Sequence, residues 1–144
     1  MLYNSIVHRQ PIDKGWSGDQ KYCAVTADGT KYLLRITSPE RVHRFYLGHL
    51  RMQEAAKLGV SMCLPIEFGQ CSEGTYAIHS WVEGVDAEEY VPTLPVEKQY
   101  AYGLYNQFAL ETLSGVFKEG KSLGYSIIFT LVDEHMECEQ LIES

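Results

Sequence analysis

One short turn constrains the fold of this chain more than any other feature of its sequence. The pair Asp28-Gly29 lies between two segments, residues 21–26 and 31–36, in which apolar and aromatic side chains alternate or dominate. Such a pair favours a tight turn between antiparallel strands, because glycine readily adopts the left-handed backbone that this turn needs. The sequence therefore predicts a β-hairpin over residues 21–36.

A helix is predicted directly after this hairpin. Ser38 can cap a helix, and Pro39 suits its first position because proline has no N–H to leave unpaired there. Apolar residues then recur at helical spacing as far as Leu58, and Gly59 is a typical stop. The pattern predicts one amphipathic helix after the second strand of the hairpin.

A second pair of strands follows the helix. Residues 63–68 and 75–82 are typical strand segments, and the loop between them is polar and contains glycine. A short first strand is predicted over residues 5–7. The predicted fold class is therefore α+β, with a five-stranded antiparallel sheet and one helix.

The composition changes in the second half of the chain. Residues 85–95 are acidic and contain two prolines, which predicts an exposed connector. Apolar spacing predicts an amphipathic helix over residues 96–118, and residues 125–132 form one further apolar run. The predicted organisation is a lobe of residues 1–84, the connector, and a C-terminal segment of residues 96–144.

The composition also argues against several classes of protein. Twelve basic residues against nineteen acidic ones give a net charge of −7, so no cationic surplus exists to bind nucleic acid. No segment resembles a signal peptide or reaches the roughly 18 apolar residues of a membrane span, which predicts a cytoplasmic protein without membrane contact. Four cysteines without paired spacing predict free thiols.

Five strands, with one helix between the third and the fourth and the segment W-V-E-G after the fifth, form the layout of the small lobe of kinases. The chain resembles the aminoglycoside phosphotransferase family of antibiotic kinases. The similarity lies in IDKGWSGDQKY, KYLLRIT, LGVSMCLPIEFGQC, SWVEGVDAEEYVP and EKQYAYG, all within residues 8–103. The resemblance implies binding of ATP or GTP with Mg²⁺, and phosphoryl transfer to a hydroxyl of a small aminoglycoside-like molecule.

The loop between the first two predicted strands contains Gly15, Ser17 and Gly18. Glycines let backbone N–H groups approach phosphate oxygens closely, and a small hydroxyl adds a donor. The resemblance places this loop over the phosphates of the nucleotide. The alternative is a tight structural turn anchored by Trp16, where many relatives have a small residue.

Arg35 interrupts an apolar strand, and a buried cation needs an anion. The resemblance aligns Arg35 with the third-strand lysine that holds the nucleotide phosphates in the family. Glu54 is the only acidic residue between Glu40 and Leu58, so it is predicted to form the strand–helix ion pair of kinases with Arg35. The alternative is an exposed glutamate and an edge-strand arginine.

The adenine ring is predicted to meet the hinge. Backbone groups of Ser80, Trp81 and Val82 would face the edge of the base, as the resemblance implies. Leu33 and Ile66 could contribute apolar contacts above and below the ring, but both are equally typical of ordinary core strands.

The motifs that phosphoryl transfer requires are not found in the sequence. The family's H-G-D-x-x-x-x-N loop is missing, and the similarity ends near Gly115, so no catalytic residue and no metal ligand is assigned. Three alternatives stay open. The favoured one is a truncated phosphotransferase that keeps its nucleotide-binding lobe; the others are an active kinase completed by another chain and a self-associating interaction module.

Overall fold

The computed structural model describes residues 1–14, 17–59 and 61–105. The described residues belong to two compact units, Met1–Val82 and a second unit that begins at Glu83, and each is described by itself. The helix predicted over residues 96–118 is described only as far as residue 105. The predicted apolar run of residues 125–132 lies outside the described residues.

The first unit is an antiparallel sheet with one long helix. Its elements are β1 (Ile6–Pro11), β2 (Gln20–Thr26), β3 (Lys31–Thr37), α1 (Val42–Ala56), β4 (Pro65–Cys71) and β5 (Gly74–Ser80), with 3₁₀ turns at Leu2–Ser5 and Pro39–Arg41. The strand order is β1-β2-β3-β5-β4, and every neighbouring pair is antiparallel. The predicted α+β class with a five-stranded antiparallel sheet is confirmed.

The predicted turn at Asp28-Gly29 joins β2 to β3. Gly29 has a φ of +84°, the left-handed conformation that favours glycine. The Asp28 carboxylate accepts hydrogen bonds from Thr26 and Thr30, and these bonds lower the pKa of that carboxyl. The turn sets the register of the hairpin, which continues without a shift to Gln20.

The apolar core lies on one face of the sheet. Its buried members come from the three central strands: Ala24, Leu34, Ile36, Tyr76 and Ile78. The N-terminal 3₁₀ turn covers this cluster, and the Tyr3 ring stacks on the Tyr76 ring with 4.4 Å between centroids. The Tyr76 hydroxyl donates a hydrogen bond of 2.7 Å to Glu67, which also accepts from the amides of Leu2 and Tyr3. The turn is therefore fastened to the sheet through one carboxylate.

Helix α1 packs on the opposite face of the sheet. It buries Gly48, His49, Met52 and Ala55. Phe68 of β4 lies among three rings of the helix, with centroids 5.8 Å from Phe45, 5.4 Å from Tyr46 and 5.0 Å from His49. Aromatic contacts of this kind hold α1 against β4.

Two boundaries differ from the predictions. The α-helix begins at Val42, because Pro39–Arg41 form a 3₁₀ turn and the Ser38 side chain makes no capping bond. The Ser38 hydroxyl bonds the Glu40 carboxylate instead, which lowers the pKa of that carboxyl. Strand β1 extends to Pro11 rather than ending at residue 7, because an exposed edge strand does not need the apolar alternation on which the prediction relied.

The second unit contains short helical elements where the sequence predicted a connector. These are α2 (Ala87–Tyr90) and a 3₁₀ turn at Val91–Thr93, and residues 96–105 are also helical. Asp86 begins α2 because its side chain accepts a 3.0 Å bond from the Glu88 amide. Within residues 1–14, 17–59 and 61–105, no helix is long and apolar enough to cross a membrane.

Gly69 of β4 makes room for the Tyr76 ring. A Cβ at position 69 would lie 2.7 Å from the Tyr76 hydroxyl oxygen and 2.9 Å from its Cζ, so Gly69→Ala is expected to lower the free energy of unfolding by about 1–3 kcal/mol. Urea unfolding followed by circular dichroism measures this change.

The matched control for Gly69→Ala is Gly103→Ala. Gly103 is helical, and no described residue approaches within 4 Å of its Cβ position, so alanine there is expected to stabilise by up to about 1 kcal/mol. If Gly69→Ala were as stable as the unaltered chain, the contact between the added Cβ and Tyr76 would have no measurable effect on the free energy of unfolding.

Candidate ligand-binding site

A cavity of about 590 Å³ opens on the face of the sheet opposite the apolar core. Its lining comes from β1, β2, the start of β3 and the residue after β5: His8, Gln10, Pro11, Ile12, Asp13, Lys14, Cys23, Val25, Lys31 and Trp81. The strand register explains this set, because His8 lies opposite Val25 and Val25 lies opposite Lys31. Alternate residues of three neighbouring strands therefore point into one space.

The cavity combines an apolar wall with hydrogen-bond donors. Ile12, Val25 and the Trp81 ring supply apolar surface, and Lys14 and Lys31 supply positive charge. The Trp81 Nε1 atom is buried, and no described residue accepts its hydrogen bond. A buried donor without an acceptor costs free energy, and the apolar surface of this wall suits the flat ring of a ligand.

The predicted hinge residues divide into two groups. The Ser80 amide donates a 2.8 Å bond to the Leu64 carbonyl, and the Ser80 hydroxyl accepts a 2.7 Å bond from the Leu64 amide. Ser80 is thus held as the last residue of β5. Trp81 and Val82 follow it without a described backbone hydrogen bond to any other described residue, and their contact with a base stays a prediction.

Two other predicted adenine contacts differ in position. Leu33 is buried and lies opposite Cys23 on the cavity face of the sheet. Ile66 lies at the irregular pairing between β4 and β5, and 49% of its surface is exposed. Of the two, Leu33 is placed next to the cavity wall.

Arg35 is paired, but with a carboxylate that the sequence analysis did not name. The Arg35 guanidinium forms an ion pair with the Asp19 carboxylate, whose other oxygen accepts a 2.9 Å bond from the Thr37 hydroxyl. Only 6% of the Asp19 side chain and 18% of the Arg35 side chain are exposed. The guanidinium also lies over the Phe45 ring, 5.5 Å from its centroid. Arg35 is therefore enclosed by β2, β3 and α1.

The predicted ion pair between Glu54 and Arg35 is wrong. The Glu54 carboxylate instead accepts a 2.7 Å bond from Lys57, three residues along the helix, and 56% of its side chain is exposed. The buried side of α1 carries His49, Met52 and Ala55, so Glu54 faces away from the sheet. Its role in binding a nucleotide stays a prediction.

The loop between β1 and β2 is described in part. Gly15 and Trp16 lie outside the described residues. Gly18 has a φ of +72°, and the Arg41 guanidinium occupies the space of a Cβ there while donating a 3.2 Å bond to the Ser17 carbonyl. The Ser17 hydroxyl oxygen is buried, and no described residue bonds it. The part of the loop directly before β2 is thus held by Arg41 and, through Asp19, by Arg35.

Two buried histidines, for which the sequence pattern predicts no function, lie beside this site. His79 follows Ile78 in β5 and lies opposite Leu33, and neither of its ring nitrogens bonds a described residue. Burial lowers the pKa of His79 to about 3, and nearby Arg35 and His49 act in the same direction. Burial also lowers the pKa of His49. Both rings are therefore neutral at pH 7.

A metal site is not formed by the part of the chain that the structure describes. There, no three His, Cys, Asp or Glu side chains lie close enough together to hold a metal ion. His135 and Cys138, whose spacing in the sequence could supply at most half of a metal site, lie outside the described residues.

Comparison with known proteins identifies the fold. No protein-family model and no curated protein matches the chain. Several solved structures match the chain, and the three described next each have a TM-score of 0.51. The PknI kinase domain of Mycobacterium tuberculosis is 16% identical, and the match covers 77% of this chain and 47% of that one. The aminoglycoside phosphotransferase APH(3'')-Id of Streptomyces rimosus is 15% identical, with 69% and 34% covered. Rad53 in complex with AMP-PNP is 14% identical, with 81% and 32% covered.

These matches show the fold alone, because every identity is below 20%. The chain has a kinase-like fold, and its five-stranded sheet with α1 corresponds to the small lobe of protein kinases. The chain spans about half or less of the length of each of these structures.

Proposed function

We propose that the unit Met1–Val82 binds a purine nucleotide, ATP or GTP, with the base in the cavity beside Trp81. The observation that carries the proposal is the cavity itself, in which Trp81, apolar side chains and lysines line one space on the face of the sheet opposite the core. Purines have acceptor nitrogens at the ring edge, and a cavity of about 590 Å³ lies within the range of about 300–1,000 Å³ found for small-molecule sites.

The residues around the cavity fit the parts of a nucleotide. The apolar side chains of Ile12 and Val25 would pack against the base, and the backbone of Trp81 and Val82 would meet its edge. Lys14 and Lys31 against Asp13 leave an excess of positive charge in the lining, which favours an anionic ligand. Mg²⁺ would accompany the nucleotide phosphates, as the resemblance to the family implies.

We further propose that the chain is an aminoglycoside phosphotransferase-like protein whose unit Met1–Val82 is the nucleotide-binding lobe. Support comes from the sequence segments that resemble this family and from the structural likeness to APH(3'')-Id. The chain spans 34% of that structure, and its sequence lacks the H-G-D-x-x-x-x-N loop. An aminoglycoside-like acceptor is a substrate of the family, and no acceptor site is proposed here.

Filling the cavity is expected to abolish binding. Val25→Trp places an indole in the space proposed for the base, so the affinity for Mg-ATP or Mg-GTP is expected to fall at least about tenfold. Isothermal titration and thermal stabilisation by the nucleotide measure this. Val7→Trp is the matched control, because Val7 is exposed and does not line the cavity.

Absence of binding by the unaltered chain to either nucleotide would reject the proposed function. The second candidate, a self-associating module, would then gain support from a mass that rises with concentration. Its basis is the edge strand β4, where Ile66 and, just before the strand, Leu64 are each 49% exposed, since open edges and exposed apolar residues favour association.

A further inference from the structure

We propose that Asp19 makes the site discriminate against ligand phosphates, by occupying the guanidinium of Arg35 with an internal carboxylate. This inference rests on the proposed function, because it concerns the same bound purine ligand. Asp19 would then set which purine ligand binds best. With Asp19 in place, a triphosphate gains little binding affinity from Arg35, and a nucleoside such as adenosine loses none.

The contacts of Asp19 show how completely it is engaged. One carboxylate oxygen pairs with Arg35, the other accepts a 2.9 Å bond from Thr37, and 6% of the side chain is exposed. A phosphate that took the place of this carboxylate on Arg35 Nη2 would have to displace it, and the Nε atom, which bonds no described residue, is buried. The displaced anion would then lie close to the phosphate, and like charges at short range repel.

The placement of Asp19 follows from the hairpin. Lys21 lies opposite Arg35 and Gln20 opposite Ile36, so Asp19, one residue earlier, falls across from Thr37. Alternation along β2 puts Asp19 on the same face as Lys21 and Arg35. The ion pair is thus built into the register of β2 and β3.

Other cations near the loop are also bound within the protein. Lys21 donates a 3.0 Å bond to the Lys14 carbonyl, and Arg41 donates a 3.2 Å bond to the Ser17 carbonyl. Burial, followed by the charge of Arg35, lowers the pKa of Lys21. Of these three cations, Arg35 is the one that forms an ion pair with a carboxylate within the described residues, so removal of Asp19 would change the charge offered to a phosphate.

The test compares ATP with adenosine on the full chain and on Asp19→Asn. Asparagine keeps the size of the side chain and can still bond Thr37, but it carries no charge. Titration calorimetry is expected to show at least tenfold tighter binding of ATP, with a change of less than about threefold for adenosine. Glu73→Gln is the control for net charge, because Glu73 bonds Arg9 and Tyr3 on the opposite face of the sheet.

An ATP-to-adenosine affinity ratio that is the same in Asp19→Asn and the unaltered chain overturns the inference. If Asp19→Asn does not fold, Thr37→Val replaces it, since this change removes one of the two bonds that hold Asp19 and keeps both charges. It is expected to improve the ratio for ATP about threefold, and an unchanged ratio is again decisive against the inference. Failure of the proposed function differs from both results, because no variant would then bind adenosine, ATP or GTP.

Discussion

Replacing Tyr76 with alanine is expected to lower the free energy of unfolding by about 3–5 kcal/mol, the cost of removing a large buried aromatic side chain. Tyr76 is fully buried at the centre of the sheet, stacks on Tyr3 and donates a hydrogen bond to Glu67. Its loss would leave a cavity and detach the N-terminal turn from the core. Urea unfolding at pH 7, followed by circular dichroism, measures the change.

Two further variants separate the causes of this loss. Tyr76→Phe removes only the hydroxyl and is expected to cost about 1 kcal/mol, because Glu67 still accepts from the amides of Leu2 and Tyr3. Tyr100→Ala changes a side chain that is 69% exposed and is expected to stay within about 0.5 kcal/mol. A Tyr76→Ala cost equal to that of Tyr100→Ala would mean that the cluster around Tyr76 is not the core.

Acid is expected to destabilise the fold through His79. Burial holds the pKa of His79 at about 3 in the folded chain, against about 6.5 in the unfolded chain. The folded state therefore binds fewer protons than the unfolded state. The contribution of His79 is intact above pH 6.5 and is lost progressively as the pH falls toward 3, by about 2 kcal/mol between pH 7 and pH 5.

His79→Leu tests this pH dependence, because leucine fills a similar buried volume and does not titrate. The free energy of unfolding, measured at pH 5, 6 and 7, is expected to fall less steeply in this variant by about the same 2 kcal/mol. Some slope would remain, since burial also lowers the pKa of His49. His43→Leu, at an exposed position of α1, is the control, and an equal effect there would assign the slope to histidines in general.

Much of the fold could be predicted because its signals are local. The pair Asp28-Gly29 fixed the β2–β3 hairpin, and apolar spacing followed by Gly59 marked the helix. The boundaries were less predictable where local signals compete. Ser38 and Pro39 indicate a helix start, but a 3₁₀ turn forms there first, and the exposed strand β1 has little apolar alternation to detect.

The partner of Arg35 could have been read from the hairpin alone. A turn at Asp28-Gly29 that places Val25 opposite Lys31 also places Lys21 opposite Arg35, and Asp19 then follows on the same face. The resemblance to kinases predicts an ion pair between Arg35 and Glu54 instead. Which side of α1 meets the sheet depends on packing against Phe68 of β4, and the spacing of residues within the helix does not fix that rotation.

The position of His79 beside Leu33 could not be read from the sequence. Strands β3 and β5 are neighbours in the sheet but are separated in the chain by α1 and β4, so no short turn sets their register. The same holds for Trp81, whose indole reaches the cavity wall formed by β1 and β2.

The sequence by itself determined the order of strands and helix, the hairpin at Asp28-Gly29 and the presence of a cation in β3, because turn chemistry and side-chain periodicity act over a few residues. Only the tertiary structure decided that Glu54 faces solvent, that His79 lies opposite Leu33, and that Trp81 lines a cavity together with residues of β1 and β2. These outcomes depend on contacts between residues far apart in the chain, whose geometry is set by the packing of the whole sheet.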